Sequence, residues 1–311
     1  MKIAVLGRTG ILLSAARVLV DAGYSVPYVA TAKASDFYQT SAEDFRKFAT
    51  SIGARFHVGS GLDGPETLAA IQAANADLAI SMNWPIVIPA NVRACFPAGI
   101  FNAHPGDLPR YRGNACPNWA ILHGERRIAV CIHRMTDELD AGPIAVREYL
   151  NLAESDDIGT VYEWLERVVP ASFLKLAKLA SIGALILTDQ STNPVHSLRC
   201  YPRRPEDSRI DWAQDSESIH RLIRASSRPM LGAFSYLEGN RLVRIWRAER
   251  WNHRTPFLAI PGQIAGQVEG DPLVITGGGG MLRLTDAEIE DGPTRTQAKK
   301  IILSSLRNRL V

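Results

Sequence analysis

The chain opens on an apolar run over residues 2–6 that stops at Gly7, with Gly10 three residues on. From Ile11 to Val20 apolar residues recur at helical spacing and end at Gly23, and Ser25 to Thr31 is again extended and apolar. A strand, a turn, a helix and a second strand in this order predict a parallel sheet covered by helices. The alternation continues: Ser41 to Ile52 reads as helix, Ala54 to Val58 as extended, and Pro65 to Ala74 as helix with proline at its start, where its missing N–H costs nothing. Asp77–Met82 and Gly99–His104 read as buried strands separated by a helix near Pro89–Cys95, completing a doubly wound α/β domain.

Beyond residue 150 the texture changes. Ile158 to about Ile182 predicts a long helix, with Asp157 as its cap and Val161, Leu165, Val168, Val169, Phe173, Leu176 and Leu179 on one face. The polar stretch from Thr188 to Pro194 reads as a linker. A short helix at Ser216–Ala225 then precedes brief β runs at Ala233–Leu237, Leu242–Ala248, Gly262–Val268, Pro272–Ile275 and Met281–Leu284. Turn signals at Glu238–Asn240, Gly270–Pro272 and Gly277–Gly280 separate them, as in a small barrel or sandwich. The division expected is 1–187, a linker over 188–206, and 207–311.

Composition narrows the function classes. At 311 residues, 46% hydrophobic and 22% charged, the chain is long enough for two ordinary cores. A net charge of +3 from 35 basic and 32 acidic residues predicts no polyanionic partner. Four cysteines without a CxxC pair, and seven histidines without HExxH, indicate no metal site. The first apolar run is too short for a secretory core and no apolar stretch is long enough to span a bilayer, so a cytoplasmic protein is expected.

Two stretches carry chemistry. Gly7-Arg8-Thr9-Gly10 is not one of them: it lacks the third glycine of a dinucleotide fingerprint, and Ala30-Thr31-Ala32-Lys33 offers no acidic residue for a ribose. The turn reads instead as a close-packed bend. Likewise no Lys-Ser/Thr or helix follows Gly277–Gly280, so that run reads as a loop and not a phosphate cradle. At the end of the Gly99–His104 strand, however, Asn102 and His104 are two residues apart and project on one side of the pleat. They stand where open α/β sheets bind ligands, before a loop rich in Pro, Gly and Arg. An amide donor beside an imidazole can stabilise an oxyanion and handle a proton. Asp140, in the tight Asp140-Ala141-Gly142-Pro143 turn, is the expected carboxylate partner of His104 and would raise the imidazole pKa.

These residues lie in blocks that resemble the formyltransferases using 10-formyltetrahydrofolate: Asn102 to Gly113, Pro117 to Glu125, and Met135 with Leu139-Asp140-Ala141-Gly142-Pro143-Ile144. Tyr201 to Trp212 and Ile219 to Ser235 resemble the start of that family's second domain, so nearly the whole chain is covered. The resemblance implies a Rossmann-like catalytic domain followed by a smaller OB-like β-barrel, with Asn102, His104 and Asp140 as the catalytic set. It implies 10-formyltetrahydrofolate as donor, held by Met82, Asn83, Trp84, Ile86, Thr136, Asp137 and Leu139. The second half of the chain is most similar to the members acting on sugar nucleotides, including the formyltransferase domain of the bifunctional enzyme of aminoarabinose–lipid A modification. The expected acceptor is therefore the primary amine of a nucleotide-linked amino sugar, contacted by Arg110, Tyr111, Arg112, Gly113 and Asn114.

Two departures from the family pattern bear on the acceptor. Where the family has His-x-Ser-Leu-Leu-Pro, this chain has His104-Pro105-Gly106-Asp107-Leu108-Pro109, so a hydroxyl is lost and a charge is expected on the acceptor side. The basic insertion used by methionyl-tRNA formyltransferases is not visible. Ala34 to Phe48 carries Asp36, Glu43 and Asp44 against Arg46 and Lys47, the wrong sign for phosphates. Transfer RNA is the runner-up acceptor, hydrolysis of the donor by the same residues is a nearer variant, and a homodimer stays open.

Overall fold

A computed structural model of the chain describes residues 1–33, 39–237, 239–253, 256–290 and 295–311. Part of the acidic Ala34–Phe48 stretch and Glu238 of one turn signal lie outside the described residues. Two compact units emerge. The first comprises 1–116, 127–151 and 163–200, and the second 117–126, 152–162 and 201–311.

In chain order the first unit's elements begin β1 (Ile3–Gly7), α1 (Gly10–Asp21), β2 (Tyr28–Thr31), α2 (Ala42–Ser51), β3 (Arg55–Val58), α3 (Pro65–Ala74), β4 (Leu78–Met82), α4 (Ala90–Arg93) and β5 (Ile100–His104). Next come β6 (Arg112–Gly113), α5 (Cys116–Leu122), β7 (Arg127–Arg134), β8 (Ile144–Asn151), α6 (Ile158–Ser181) and β9 (Arg199–Cys200), with α5 and α6 each reaching into the second unit. Local chemistry sets the helix starts. Thr9 accepts the Leu12 N–H at 3.2 Å, Ser41 and Asp44 cap each other's backbone N–H groups, and Pro65 opens α3. Gly7 is needed for space, because a Cβ there would overlap the Leu12 side chain and the Met82 carbonyl.

The main sheet runs β3-β2-β1-β4-β5-β7-β8. Its first five strands are parallel, the Rossmann-like arrangement anticipated from the alternating pattern. The last two are not: β7 returns antiparallel beside β5, and β8 antiparallel beside β7. The sequence showed only the apolar run Ala129–Ile132 here. The tight turn between β7 and β8 is too short for a helical crossover, which forces the antiparallel return. The expected linker over 188–206 is also partly tied down: Thr188 exchanges both backbone hydrogen bonds with Ile144, and β9 pairs with β6.

The second unit adds α7 (Ser216–Ser226), β10 (Ala233–Leu237), β11 (Arg241–Trp251), β12 (Ile264–Val268), β13 (Asp271–Ile275), β14 (Met281–Ile289) and α8 (Arg295–Ile302). Its strands form one antiparallel sheet, β10-β11-β14-β13-β12, a small β domain. Ile219 and Ile223 of α7 pack on Val243, Ile245, Leu282 and Leu284, and Asp215 caps that helix by accepting the Ser218 N–H at 2.8 Å. Gly277 donates its N–H to the Trp212 and Gln214 carbonyls, and a Cβ on it would run into the Ala213 carbonyl. Gly277 is therefore close backbone packing, whereas Gly278 and Gly279 serve the turn with positive φ of 68° and 75°. Among the described residues no helix is long and apolar enough to cross a membrane.

One buried group in this unit has a measurable consequence. Burial, with Arg224 and Arg250 adding to it against Glu154 and a hydrogen bond to the Ala248 backbone, pushes the His220 imidazole down to about 4. The unfolded chain takes up this proton near 6.5 and the folded chain does not until about 4. Stability contributed by neutral His220 is thus present above pH 6.5 and lost as pH falls toward 4, by at most about 3 kcal/mol. Urea unfolding at a series of pH values should show this slope in the native protein and a flatter one in His220→Gln. An unchanged slope in the variant would rule His220 out as its source.

Candidate active site

Strand register builds a polar row. Ser81 of β4 is the partner of Asn102 of β5, and Asn102 is the partner of His133 of β7. Side chains paired this way share a face of the sheet, and His104 stands two residues farther along the same face. All four are buried. The Asn102 amide Nδ2 is 3.3 Å from His133 Nε2, and the His104 and His133 rings meet edge to face with centroids 6.1 Å apart.

Asp140 reaches this row from the β7–β8 turn. It takes a left-handed conformation, φ 53°, and Gly142 follows where a Cβ would strike the Arg134 carbonyl. Its carboxylate then spans both imidazoles: Oδ2 lies 3.5 Å from His104 Nδ1 and Oδ1 lies 3.5 Å from His133 Nε2. The Gly113 N–H donates to Oδ2 at 2.9 Å. Gln190 fixes the turn from outside, donating from Nε2 to the carbonyls of Asp140 and Gly142, each at 2.8 Å. Arg112 in turn donates to Gln190 Oε1 at 2.7 Å. Asn102, His104 and Asp140 do converge. Sequence reasoning missed His133, although it ends an apolar run just as His104 does, and missed Gln190, which sits in the stretch read as linker.

The electrostatics differ from expectation in one respect. Burial alone would push the Asp140 carboxyl up, but the hydrogen bond from His133, the two imidazoles and the Gly113 N–H outweigh it and hold the group down to about 2. The carboxylate stays charged. His104 was expected to be raised by this neighbour and protonated. Instead burial lowers it, aided by His133 and Arg112, and the opposing pulls of Asp140 and the Tyr111 carbonyl do not compensate. Removing a small ring from water disfavours its cation more than one carboxylate at 3.5 Å restores it. His104 is thus a neutral imidazole at neutral pH. Its Nε2 lies 2.6 Å from the Tyr111 carbonyl oxygen. A carbonyl can only accept, so the ring proton sits on Nε2.

The loop after His104 also corrects one reading. Asp107 does not face the acceptor side freely, because Arg147 of β8 donates to its Oδ1 at 3.0 Å and to the Leu108 carbonyl at 2.5 Å. Leu108 packs with Cys131 and Ile144. Together these contacts anchor the loop to β7 and β8.

The donor-side residues lie in two segments, one running on from the end of β4 and one in the β7–β8 turn. Met82 is buried, and Trp84 packs beside Met135 against the core formed by Leu6, Ala79, Ile88 and Ile100. Asn83 has φ 56° and its carbonyl accepts from Arg8 Nε at 2.9 Å. Arg93 joins the two segments, donating to the Ile88 carbonyl at 2.6 Å and pairing with Asp137. Thr136 is exposed and its hydroxyl bonds the Glu138 carbonyl. Ile86, Val87 and Leu139 are exposed at 50%, 62% and 45%, large apolar groups left to water. Buried Ser81 Oγ and Trp84 Nε1 have no hydrogen-bond partner among the described residues. Exposed apolar side chains beside unspent donors suit a flat, heteroaromatic ligand.

Of the acceptor-loop residues, Arg110 and Asn114 are exposed. Tyr111, Arg112 and Gly113 are occupied in holding His104, Gln190 and Asp140.

Residues 1–175 match the formyl transferase family, and residues 203–301 match the formyl transferase C-terminal domain. The chain belongs to the formyl transferase family. It shares its fold with several solved structures. HypX from Aquifex aeolicus is 22% identical with a TM-score of 0.58; the match covers 92% of this chain and 45% of HypX, so this chain spans less than half of that protein. WlaRD, a sugar 3N-formyltransferase solved with dTDP and 5-N-formyl-THF, is 16% identical over 94% of this chain and 99% of its own, with a TM-score of 0.61. The N-formyltransferase from Helicobacter canadensis, solved with folinic acid and dTDP-3-aminofucose, is 15% identical over 91% and 98% of the two chains, with a TM-score of 0.61.

Proposed function

We propose that this formyltransferase moves the formyl group of 10-formyltetrahydrofolate to the primary amine of a nucleotide-linked amino sugar. The observation that carries the reading is the convergence of Asn102, His104 and Asp140 on one buried carboxylate–imidazole centre. The relatives solved with folates and dTDP compounds support donor and acceptor alike. The donor supplies a formyl carbon bonded to nitrogen, activated for attack by an amine.

In this reading the Asn102 Nδ2–H and the His104 Nε2–H are the two donors for the negative charge that develops on the formyl oxygen. Asp140, at about 2, is too weak a base to take the amine proton. It faces His104 at Nδ1, which carries no proton in the resting site, and stabilises the positive charge gathering on the imidazole and the attacking amine. A carbon–nitrogen bond forms to the sugar amine, the bond to the folate nitrogen breaks, and the amine's proton ends on that nitrogen through His104 or water. Arg110, with Asn114 beside it, is placed for the acceptor's phosphates, since a guanidinium grips phosphate with two parallel hydrogen bonds. Ile86, Trp84 and Leu139 cover the donor's ring system, and Met82, Asn83, Thr136 and Asp137 border it.

The test is turnover of 10-formyltetrahydrofolate with a panel of dTDP- and UDP-linked amino sugars, and separately with initiator tRNA. Formylation of a sugar amine is the expected result. Tight tRNA binding that weakens steeply with salt, together with formylation of the charged tRNA, would replace the sugar with the macromolecule.

A further inference from the structure

The His104 proton that the proposed reaction needs is already committed. Nε2 donates it to the Tyr111 carbonyl at 2.6 Å, while Asp140 stands at Nδ1 and Gly113 secures Asp140. A neutral imidazole has a single N–H. With that group turned to the backbone, His104 has nothing to offer a formyl oxygen.

Two features make this contact possible. A Cβ on Gly106 would overlap both the Tyr111 carbonyl oxygen and His104 Nε2. Gly106 is not among the glycines with positive φ, so its backbone would suit any residue and the missing side chain matters for space alone. Tyr111 itself is left-handed at φ 58°, a conformation that costs any residue with a Cβ. Its buried ring, 4% exposed, holds it there. The strained peptide lies one residue from exposed Arg110 and three from exposed Asn114, the groups assigned above to the acceptor.

We infer that the Tyr111 carbonyl caps His104 when no acceptor is bound, that Gly106 makes room for the cap, and that engagement of Arg110 and Asn114 by the acceptor withdraws it. The inference rests on the donor and acceptor reading above. Its consequence is coupling: the imidazole N–H becomes available only when an amine is present. Water is then denied the wasteful reaction in which its oxygen bonds the formyl carbon, the bond to the folate nitrogen breaks and formate leaves with a proton delivered to that nitrogen. The acceptor shifts the loop because it binds the uncapped state more tightly, as any such ligand must.

The decisive pair of variants is Tyr111→Ala and Tyr111→Gly. Both lose the anchoring ring, but alanine keeps the left-handed penalty and glycine does not. Formate release from 10-formyltetrahydrofolate without acceptor should rise above wild type in Tyr111→Ala, by roughly tenfold over Tyr111→Gly, the factor that penalty represents. Equal rates in wild type and both variants would overturn the cap. Imidazole ¹⁵N NMR of the ligand-free protein judges it independently: His104 should carry a slowly exchanging proton on Nε2, absent in Gly106→Ala, and an unprotonated Nε2 in the wild type would refute it. Should that proton be found while no protein form acts on 10-formyltetrahydrofolate, the donor assignment falls and the cap stands.

Discussion

Asp140→Asn is expected to lower turnover by about 10²–10⁴ while leaving the fold and the donor's KM close to wild type. The isosteric amide can keep one of the carboxylate's contacts: its oxygen can accept the Gly113 N–H now held at 2.9 Å, while its NH₂ would meet the donor nitrogen of His133 now 3.5 Å away. What it cannot keep is charge. In the native site the carboxylate is pinned in its ionised form by both imidazoles, and it is the acidic group His104 faces at 3.5 Å. Without it, only the Tyr111 carbonyl opposes the burial that already holds His104 below its usual range, and the positive charge of the transition state loses its counter-charge in a site shielded from water. Steady-state kinetics alongside thermal unfolding distinguish this from damage. A variant that melts with wild type and still turns over within tenfold of it would show that Asp140 is only a structural turn residue.

How far the sequence spoke to these features follows from the range of the interactions. Local periodicity was enough for the β1-α1-β2 start, for β4 and β5, and for the placement of Asn102 and His104 on one face, because a strand's alternation depends on its own residues. Asp140 could be read as a rigid turn from Asp-Ala-Gly-Pro alone, and it does adopt a special backbone angle. His133 and Ser81 could not be placed, because they join the site through strand register, which a single sequence does not display. The antiparallel return of β7 and β8 was hidden for the same reason. Gln190 looked like linker polarity until its amide was seen pinning the Asp140 turn. The protonation of His104 went astray because pairwise attraction is legible in sequence and burial is not: the carboxylate was visible, and the desolvation that outweighs it was not.

Asn102→Ala should cost about 10²–10³ in kcat, the usual consequence of deleting one oxyanion donor. Asn102 sits between His133 and Ser81 in the polar row, and its amide Nδ2 faces a ring nitrogen of His133, whereas the His104 proton is engaged by a backbone carbonyl, that of Tyr111. The loss should fall on kcat with KM nearly unchanged, because charge on the formyl oxygen appears only in the transition state. Asn102→Asp sharpens the test. It preserves size but places an acceptor, and a second negative charge near Asp140, where the reaction needs a donor. It should therefore be slower still than the alanine variant at neutral pH, although it leaves a smaller cavity. If Asn102→Asp instead retained more activity than Asn102→Ala, the side chain would be contributing bulk, and the oxyanion would have to be stabilised elsewhere.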